Sequence, residues 1–320
     1  MNENWQLKVT EFKRTLRIIT SSPLGVIGLL IIFILLLCAV ISPVIATHDP
    51  LEIDIANKIK PPSRDNWFGT DNVGRDIFSR VIYGSRYSLA AGTLVVGIAV
   101  IIGSIFGLIA GYPGGRKGEW IMRIADIFLA FPTLVLAIAL ASNLGPSFVN
   151  SMIAISIVYW PKYARLVYGQ ALSIKENDYV KFAEVLKESS MKIRMRHIFP
   201  NCSSVLLVQA TLDFGDAILF FAALSFIGLG AQPPAPDWGA MVSIARNYMM
   251  RAWWMALFPG LSIFFVVLGF NLIGDSLRDA LDPRLRRLKA FKPIRLTWLG
   301  IFSGNVPEFF KAKDRRGRDE

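Results

Sequence analysis

The chain has 320 residues, of which 53% are hydrophobic and only 18% are charged, and its mean hydropathy is +0.45. A soluble domain needs a larger polar share than this, so the composition excludes an ordinary soluble protein. The formal net charge of +11 would suit nucleic-acid binding. However, the basic residues cluster at both ends and in one loop beside apolar runs, as in proteins that span membrane lipid. We expect no nucleic-acid partner.

The chain begins with a short basic stretch, residues 1–22, which we predict to be cytoplasmic. An apolar run over 23–46 follows. It is longer than the core of a signal peptide, and no small-residue cleavage site stands out after it. At 1.5 Å per residue, the run is long enough to cross a hydrocarbon layer of roughly 30 Å. It therefore predicts a retained first transmembrane helix.

Residues 47–87 form a polar segment whose acidic and basic residues balance. The segment lacks the basic excess of a cytoplasmic loop, so we predict that it is extracytoplasmic. Thr70 or Asp71 can cap a short amphipathic helix that begins near Val73. Asp76 and Arg80 stand four residues apart on that helix and can form an ion pair.

Five more apolar runs follow within residues 88–287, and the fourth of the six predicted spans is weak because it contains Lys162 and Arg165. A charge in lipid is costly, so its lower half must face protein or water. Pro132 predicts a kink in the third span. The fold class is thus an all-α polytopic membrane protein with six transmembrane helices, both ends cytoplasmic and a basic cytoplasmic tail over 288–320. The later spans are predicted over about 88–110, 124–141, 149–168, 204–229 and 253–273.

The loop between the fourth and fifth spans, about 169–203, has a basic excess that makes it cytoplasmic. Asn177 or Asp178 can cap a short helix there. Helical spacing then places four apolar residues on one stripe, with Glu184 off it. The stripe consists of Tyr179, Phe182, Ala183 and Leu186. A second helix is predicted from about Lys192 to Phe199, before Pro200. The pattern leaves two interpretations open: a helix for a partner's hydrophobic groove, or a helix lying on the membrane surface.

Groups that would carry catalysis are missing from the sequence pattern. It contains no nucleophile and base constellation, no phosphate-binding glycine loop followed by Lys-Ser/Thr and no metal-ligand spacing. Cys38, Cys202, His48 and His197 lie far apart in the sequence. We therefore expect a chain that is not an enzyme and that holds no cofactor or metal.

The loop sequence resembles the coupling loop of ABC importer permeases. The matching residues are Asp178-Tyr179-Val180, Ala183 and Arg196-His197-Ile198-Phe199-Pro200-Asn201. The resemblance implies a type I ABC importer permease fold, in which this loop forms a helix seated in a cleft of a cytoplasmic ATPase. Closure of the ATPase pair then moves the membrane helices between inward-open and outward-open states. The residues assigned to coupling are Asp178, Tyr179, Phe182, Ala183, Glu184, Leu186, Arg196 and Pro200.

Other segments resemble one branch, the C-type permease of dipeptide and oligopeptide importers, over about residues 67–287. They include Trp67-Phe68-Gly69-Thr70-Asp71, Gly74-Arg75-Asp76, Leu224-Ser225-Phe226-Ile227-Gly228-Leu229-Gly230, Asp237-Trp238-Gly239, Phe258-Pro259-Gly260 and Asp282-Pro283-Arg284. The sequence departs from the pattern at three positions. Phe182 replaces an alanine of the loop, Lys187 replaces a glycine, and Phe221 replaces an acidic residue.

The resemblance implies a permease subunit in the cytoplasmic (inner) membrane of a prokaryote. Its partners would be a second related permease, two cytoplasmic ATPase subunits that bind ATP and Mg, and an extracytoplasmic substrate-binding protein. Dipeptides or oligopeptides are the expected substrates, with nickel complexes and oligosaccharides as further possibilities. Two rival functions remain: a proton-coupled secondary transporter that uses intramembrane aspartates, and a non-transporting assembly or receptor subunit.

Acidic residues inside the apolar spans are functional candidates. Asp126 is expected to pair with Arg123, three residues earlier. Asp213 and Asp216 share one face of the fifth helix. They could line a polar path for the amino terminus of a peptide, or they could pair with Lys162 or Arg165. We favour pairing, because importers of this type accept many substrates and need few fixed contacts.

Overall fold

The protein is represented by a computed structural model that describes residues 19–20 and 22–281. The predictions for residues 1–18 and for the tail over 288–320 lie outside this part. Within it, regular structure is helical apart from one isolated antiparallel bridge between Thr70 and Asp76. The α-helices are α1 Pro23–Ile45, α2 Ile77–Gly111, α3 Gly115–Leu129, α4 Thr133–Leu144, α5 Phe148–Ile174, α6 Asp178–Val185, α7 Ser190–Ile193, α8 Phe199–Phe226, α9 Trp238–Ala245 and α10 Trp254–Leu281.

Four helical stretches are long and apolar enough to cross a membrane: α1, α2, the stretch from α7 through α8, and α10. The α3–α4 pair makes a fifth if it is counted as one broken span. The predicted fourth span corresponds to α5, which has 27 residues but is not among these stretches. Lys162 and Arg165 reduce its apolar character, and much of its surface is buried by neighbouring helices. The described residues therefore establish four to five apolar spans, whereas the sequence predicted six.

Helix α2 is longer than the predicted second span. Its 35 residues include the amphipathic helix that was predicted as a separate element. Asp76, and not Thr70 or Asp71, caps it, because the Asp76 carboxylate accepts a hydrogen bond from the Ser79 amide at 2.7 Å. At 1.5 Å per residue, α2 is about 52 Å long, so part of it must extend beyond a hydrocarbon layer of roughly 30 Å.

The predicted kink at Pro132 is a complete break. Helix α3 ends at Leu129, α4 begins at Thr133, and the two axes differ by 88°. Proline disfavours the α-helical conformation of the residue before it, which here is Phe131. The break therefore separates an amphipathic α3 from an apolar α4.

The core of the molecule forms where α2 packs against α5. A Cβ atom at Gly103 would lie 2.5 Å from the Cβ atom of Tyr163, and one at Gly107 would lie 2.7 Å from the carbonyl oxygen of Ala164. Small residues let helix backbones approach this closely in a membrane. The same core cluster extends into the loop after α5, where it includes Val180 and Ile198.

Residues 47–76 fold over the ends of α2, α9 and α10, and we call them the outer cap after the side of the membrane that the sequence predicts for them. The indole Nε1 of Trp254 donates to the Thr70 carbonyl at 3.3 Å. Phe68 stacks on Phe258 with ring centroids 3.8 Å apart. The Arg80 guanidinium donates to the Pro50 carbonyl at 2.8 Å and to the Pro234 and Ala235 carbonyls at 3.3 Å. Arg80 thus joins two loops to α2 and approaches Asp71, not Asp76, as its acidic neighbour at 3.9 Å.

Candidate functional site

Helix α6 provides the predicted loop helix, but its two sides have opposite environments. Val180 and Ala183 are buried, with exposed fractions of 0% and 5%, whereas Phe182 is 68% exposed. The prediction that Ala183 shares an outward stripe with Phe182 is therefore wrong. Residues 180 and 183 are one turn apart and form an inward stripe of their own. The two-turn helix is apolar on both sides, so periodicity alone could not assign its faces.

Six large apolar side chains are exposed along the loop, on α6 and on the segment that follows it. We call this set the exposed loop residues: Tyr179, Phe182, Val185, Leu186, Met191 and Met195. Large exposed apolar side chains mark interaction sites when they occur together. Sequence reasoning did not include Val185, Met191 and Met195 in the site. The two methionines, four residues apart on one helical stretch, were the available signal, since methionine is common on adaptable binding surfaces.

The eight residues assigned to coupling all lie in this loop or at the start of α8. Seven of them are exposed, and only Ala183 is buried. Asn177 does not cap α6 with its side chain. Its amide instead donates to the Ile174 carbonyl at 3.0 Å. The loop thus presents the predicted residue types to the outside, while Ala183 supports the helix from behind.

The end of α6 is fixed by two backbone hydrogen bonds. The Lys187 amide donates to the Glu184 carbonyl at 2.9 Å, and the Glu188 amide donates to the Ala183 carbonyl at 3.0 Å. This is the Schellman arrangement, which places the residue after the cap in a left-handed conformation. Lys187 occupies that position with a φ of 58°. It is also the position where the family pattern has glycine, so the bend is retained without the residue that forms it most easily.

Glu188 joins the parts of the loop that follow α6. Its carboxylate contacts the Lys192 ammonium at 2.8 Å and the His197 Nε2 atom at 3.0 Å. These two hydrogen bonds lower the pKa of Glu188. His197 is therefore part of a local polar cluster, whereas its sequence position suggested an ordinary loop histidine.

The helix predicted to end before Pro200 continues into the apolar helix α8. A π-turn at Arg194–Ile198 connects α7 to α8, and the Phe199 amide donates to the Arg194 carbonyl five residues earlier. Pro200 lies in the first turn of α8, where proline is tolerated because amides there lack a helical partner. The buried Ile193 and Ile198 flank the π-turn and belong to the same core cluster as Val180. The loop is thus rigidly connected to the start of α8.

Two ion pairs join α5 to neighbouring helices inside the apolar region. Lys162 contacts the buried Asp213 of α8 at 2.6 Å, and Arg165 contacts Asp126 of α3. The predicted pairing of Asp126 with Arg123 is wrong, because the Arg123 guanidinium lies over the Trp120 ring at 5.2 Å. A carboxylate on an adjacent helix was within reach of Arg165, which local sequence spacing cannot indicate.

Asp216 differs from Asp213 although the two share one side of α8. It is exposed. Among the described residues it has no hydrogen-bond or ion-pair partner. Asp213, Lys162, Tyr159 and Tyr163 lie within electrostatic range of it. Of the four charged residues singled out as a path or as intramembrane pairs, three are paired and Asp216 is not.

Long apolar helices and an exposed apolar loop after α5 are features of membrane transport permeases. The family model of binding-protein-dependent transport system inner membrane components matches residues 103–287. A second model, the N-terminal transmembrane domain of oligopeptide transport permease C, matches residues 10–62. The chain therefore belongs to the family of binding-protein-dependent transport system inner membrane components.

Among curated proteins, the chain is similar to permeases of peptide transport systems. It is 51% identical over 264 residues to the probable D,D-dipeptide transport system permease protein DdpC of Escherichia coli K12, covering 82% of this chain and 89% of the relative. It is 45% identical over 284 residues to the dipeptide transport system permease protein DppC of Alkalihalophilus pseudofirmus, covering 89% and 93%. The glutathione transport system permease protein GsiD of Escherichia coli O6:K15:H31 is 44% identical over 258 residues, covering 80% and 85%.

These matches confirm the importer permease class that the loop motif indicated. The chain is a membrane-embedded ABC transporter permease subunit, and ATP hydrolysis belongs to separate subunits. Membership of this family gives no support to the proton-coupled secondary transporter.

Proposed function

We propose that this chain is the C-type permease of an ATP-dependent importer of dipeptides in the inner membrane. It forms half of the translocation pathway, and a second related permease forms the other half. Two cytoplasmic subunits bind ATP and Mg, and an extracytoplasmic binding protein delivers the substrate. The names of the relatives support the dipeptide, since two of the three compared above are dipeptide permeases.

The proposed topology has six spans, with both termini in the cytoplasm. It counts the broken α3–α4 pair as one span and α5 as another. The length of α5, 27 residues, is sufficient to cross the bilayer. Its ion pairs with α3 and α8 support this placement, because charged side chains inside a membrane protein are tolerated when they pair within the bundle. We assign Lys162, Arg165, Asp126 and Asp213 to such structural pairs.

The observation that carries the proposal is the outward apolar side of α6 on a helix whose other side is packed into the core. Tyr179, Phe182 and Leu186 are exposed, while Val180 and Ala183 anchor the helix. A short helix of this kind fits a hydrophobic groove on a partner. We propose that this side enters the cleft of the ATPase, flanked by Asp178, Glu184, Arg196 and Pro200.

A single substitution in the loop tests docking. Phe182→Glu places a charge in the proposed interface, and its effect on folding is expected to be small because Phe182 is 68% exposed. We expect the variant to insert normally but to lose co-purification of the ATPase subunits and ATP-driven uptake. Ile55→Glu is the matched control, because Ile55 is also 68% exposed but lies in the outer cap. Normal ATPase co-purification with Phe182→Glu would contradict the docking role.

The substrate is tested in proteoliposomes that contain the complete transporter and its binding protein. We expect uptake of labelled Ala-Ala to require ATP and to persist when a protonophore collapses the proton gradient. Unlabelled dipeptides should compete, whereas nickel salts and maltose should not. Uptake that follows the proton gradient without ATPase subunits would instead favour a secondary transporter.

A further inference from the structure

Asp216 occupies an unusual position for an ionisable side chain. It lies about 15 Å from the Phe226 end of α8, at a rise of 1.5 Å per residue, and it is exposed at the surface of this chain. Residues 19–20 and 22–281 provide it with no hydrogen-bond or ion-pair partner. A carboxylate directed into lipid is costly, and such residues face protein or water-filled space. This side of α8 therefore belongs to an internal surface of the assembled transporter.

The charges around Asp216 do not cancel. Gln209, Asp213 and Asp216 fall at i, i+4 and i+7 on one face of α8. Lys162 approaches this face and pairs with Asp213 at 2.6 Å. Arg165 is engaged by Asp126 and so does not neutralise the second carboxylate. The local group of Lys162, Asp213 and Asp216 therefore carries one net negative charge when all three are ionised.

Two buried polar side chains, Asp213 and Tyr163, lie beside Asp216. Asp213 is 1% exposed. The hydroxyl of Tyr163, which is 0% exposed, lies beside Asp213 and interacts with its carboxylate. Both carboxylates lie within electrostatic range of Tyr163 and of Tyr159 on α5. Because Tyr163 and Asp213 are buried and interact with each other, the acidic side chain of this group that remains open to a ligand is the exposed Asp216.

We infer that Asp216 receives the protonated α-amino group of the transported peptide midway through the membrane. This inference rests on the proposed function and adds the contact that recognises the substrate. An ammonium group is compact, carries one positive charge and donates three hydrogen bonds, so it matches one unpaired carboxylate. Because Asp216 is exposed and not enclosed, the contact is weak enough for the peptide to leave again. Side chains of the peptide are not selected at this site, which suits an importer of many sequences.

The test compares two substitutions at Asp216 in proteoliposomes that contain the complete transporter and saturating Ala-Ala-loaded binding protein. Asp216→Asn removes the charge with little change in shape, and we expect Ala-Ala uptake to fall about tenfold, equivalent to about 1.4 kcal/mol. Asp216→Glu keeps the charge and should retain uptake within about twofold. Glu119→Gln makes the same chemical change at an exposed residue of α3 and serves as the control. ATP hydrolysis stimulated by the binding protein and thermal stability should stay at the wild-type level in all three variants.

Three results would overturn the inference: Asp216→Asn uptake within twofold of the wild type, equal losses in Asp216→Asn and Asp216→Glu, or a loss of uptake in Asp216→Asn that parallels a loss of thermal stability. The first would show that the charge is not used, and the other two would indicate a structural role. Failure of the wild-type transporter to take up Ala-Ala with ATP would refute the proposed function itself.

Discussion

At the residue scale, Lys187 shows how a family position can keep its backbone geometry while losing its usual side chain. The Schellman bonds at the end of α6 hold Lys187 at a φ of 58°, where a residue with a Cβ atom is strained by about 1–2 kcal/mol. The sequence departure was visible as lysine in place of glycine. Its consequence was not, because the sequence pattern does not show whether the backbone at this position keeps a left-handed conformation.

We predict that Lys187→Gly stabilises the chain. Relief of the left-handed strain, about 1–2 kcal/mol, is partly offset by the greater freedom of glycine in the unfolded chain, about 0.4–1 kcal/mol, so the net gain should be up to about 1.6 kcal/mol. Thermal unfolding in detergent measures the effect. Lys187→Ala keeps the Cβ atom and controls for the lost charge. An equal rise in Tm for both variants would assign the effect to charge and not to backbone strain.

At the scale of elements, the sequence predicted best the helices whose apolar runs are uninterrupted. Helix α1 lies within one residue of its predicted range because length and hydropathy determine it, and α10 begins within one residue of its predicted start but ends eight residues later. Predictions were wrong where a polar start or a proline had to be interpreted. Helix α2 begins in polar sequence at Ile77, Pro132 breaks a span, and Pro200 fails to end one. In each case the outcome depends on tertiary packing or on a π-turn, which periodicity cannot indicate.

Contact between α2 and α5 gives a prediction at this scale. Gly103→Ala should destabilise the chain by about 1–3 kcal/mol, because its Cβ atom would meet both the Tyr163 side chain and, at 2.6 Å, the Trp160 carbonyl. Gly97 lies on the same helix, and an added Cβ atom there meets no atom within 4 Å. Gly97→Ala should therefore be neutral or stabilise α2 by up to about 1 kcal/mol. Thermal unfolding of the two variants measures the difference, and equal Tm values would contradict the packing argument.

At the scale of the whole molecule, the two ends are organised differently. The outer cap is closed by hydrogen bonds from Arg80 and by aromatic stacking, whereas the loop at the other end of the bundle leaves apolar side chains exposed. The sequence indicated both regions through family motifs and charge balance. It could not show that Arg80 bonds to carbonyls of two distant segments, because backbone acceptors leave no signal in the side-chain pattern.

Loss of Arg80 should therefore loosen the outer cap alone. We predict that Arg80→Lys increases hydrogen exchange of the Leu51, Glu52, Ala235 and Asp237 amides, which are hydrogen-bonded beside the Arg80 acceptors, by at least about tenfold. Lysine cannot reproduce a planar fork that reaches three carbonyls. Exchange in residues 178–198 should stay unchanged, which makes that segment the internal control. A uniform increase over both segments would instead indicate global destabilisation.

The π-turn before α8 also limits how the length of this chain can change in evolution. Ile193 and Ile198 are five residues apart, and both are buried. In a regular α-helix, residues at that spacing would point about 140° apart, so the wider turn is what brings them to one side. Removing one residue between them would restore α-helical spacing and rotate the outward side of α6 about the axis of α8. We therefore expect evolution to tolerate substitutions within residues 194–197 more readily than insertions or deletions of single residues there.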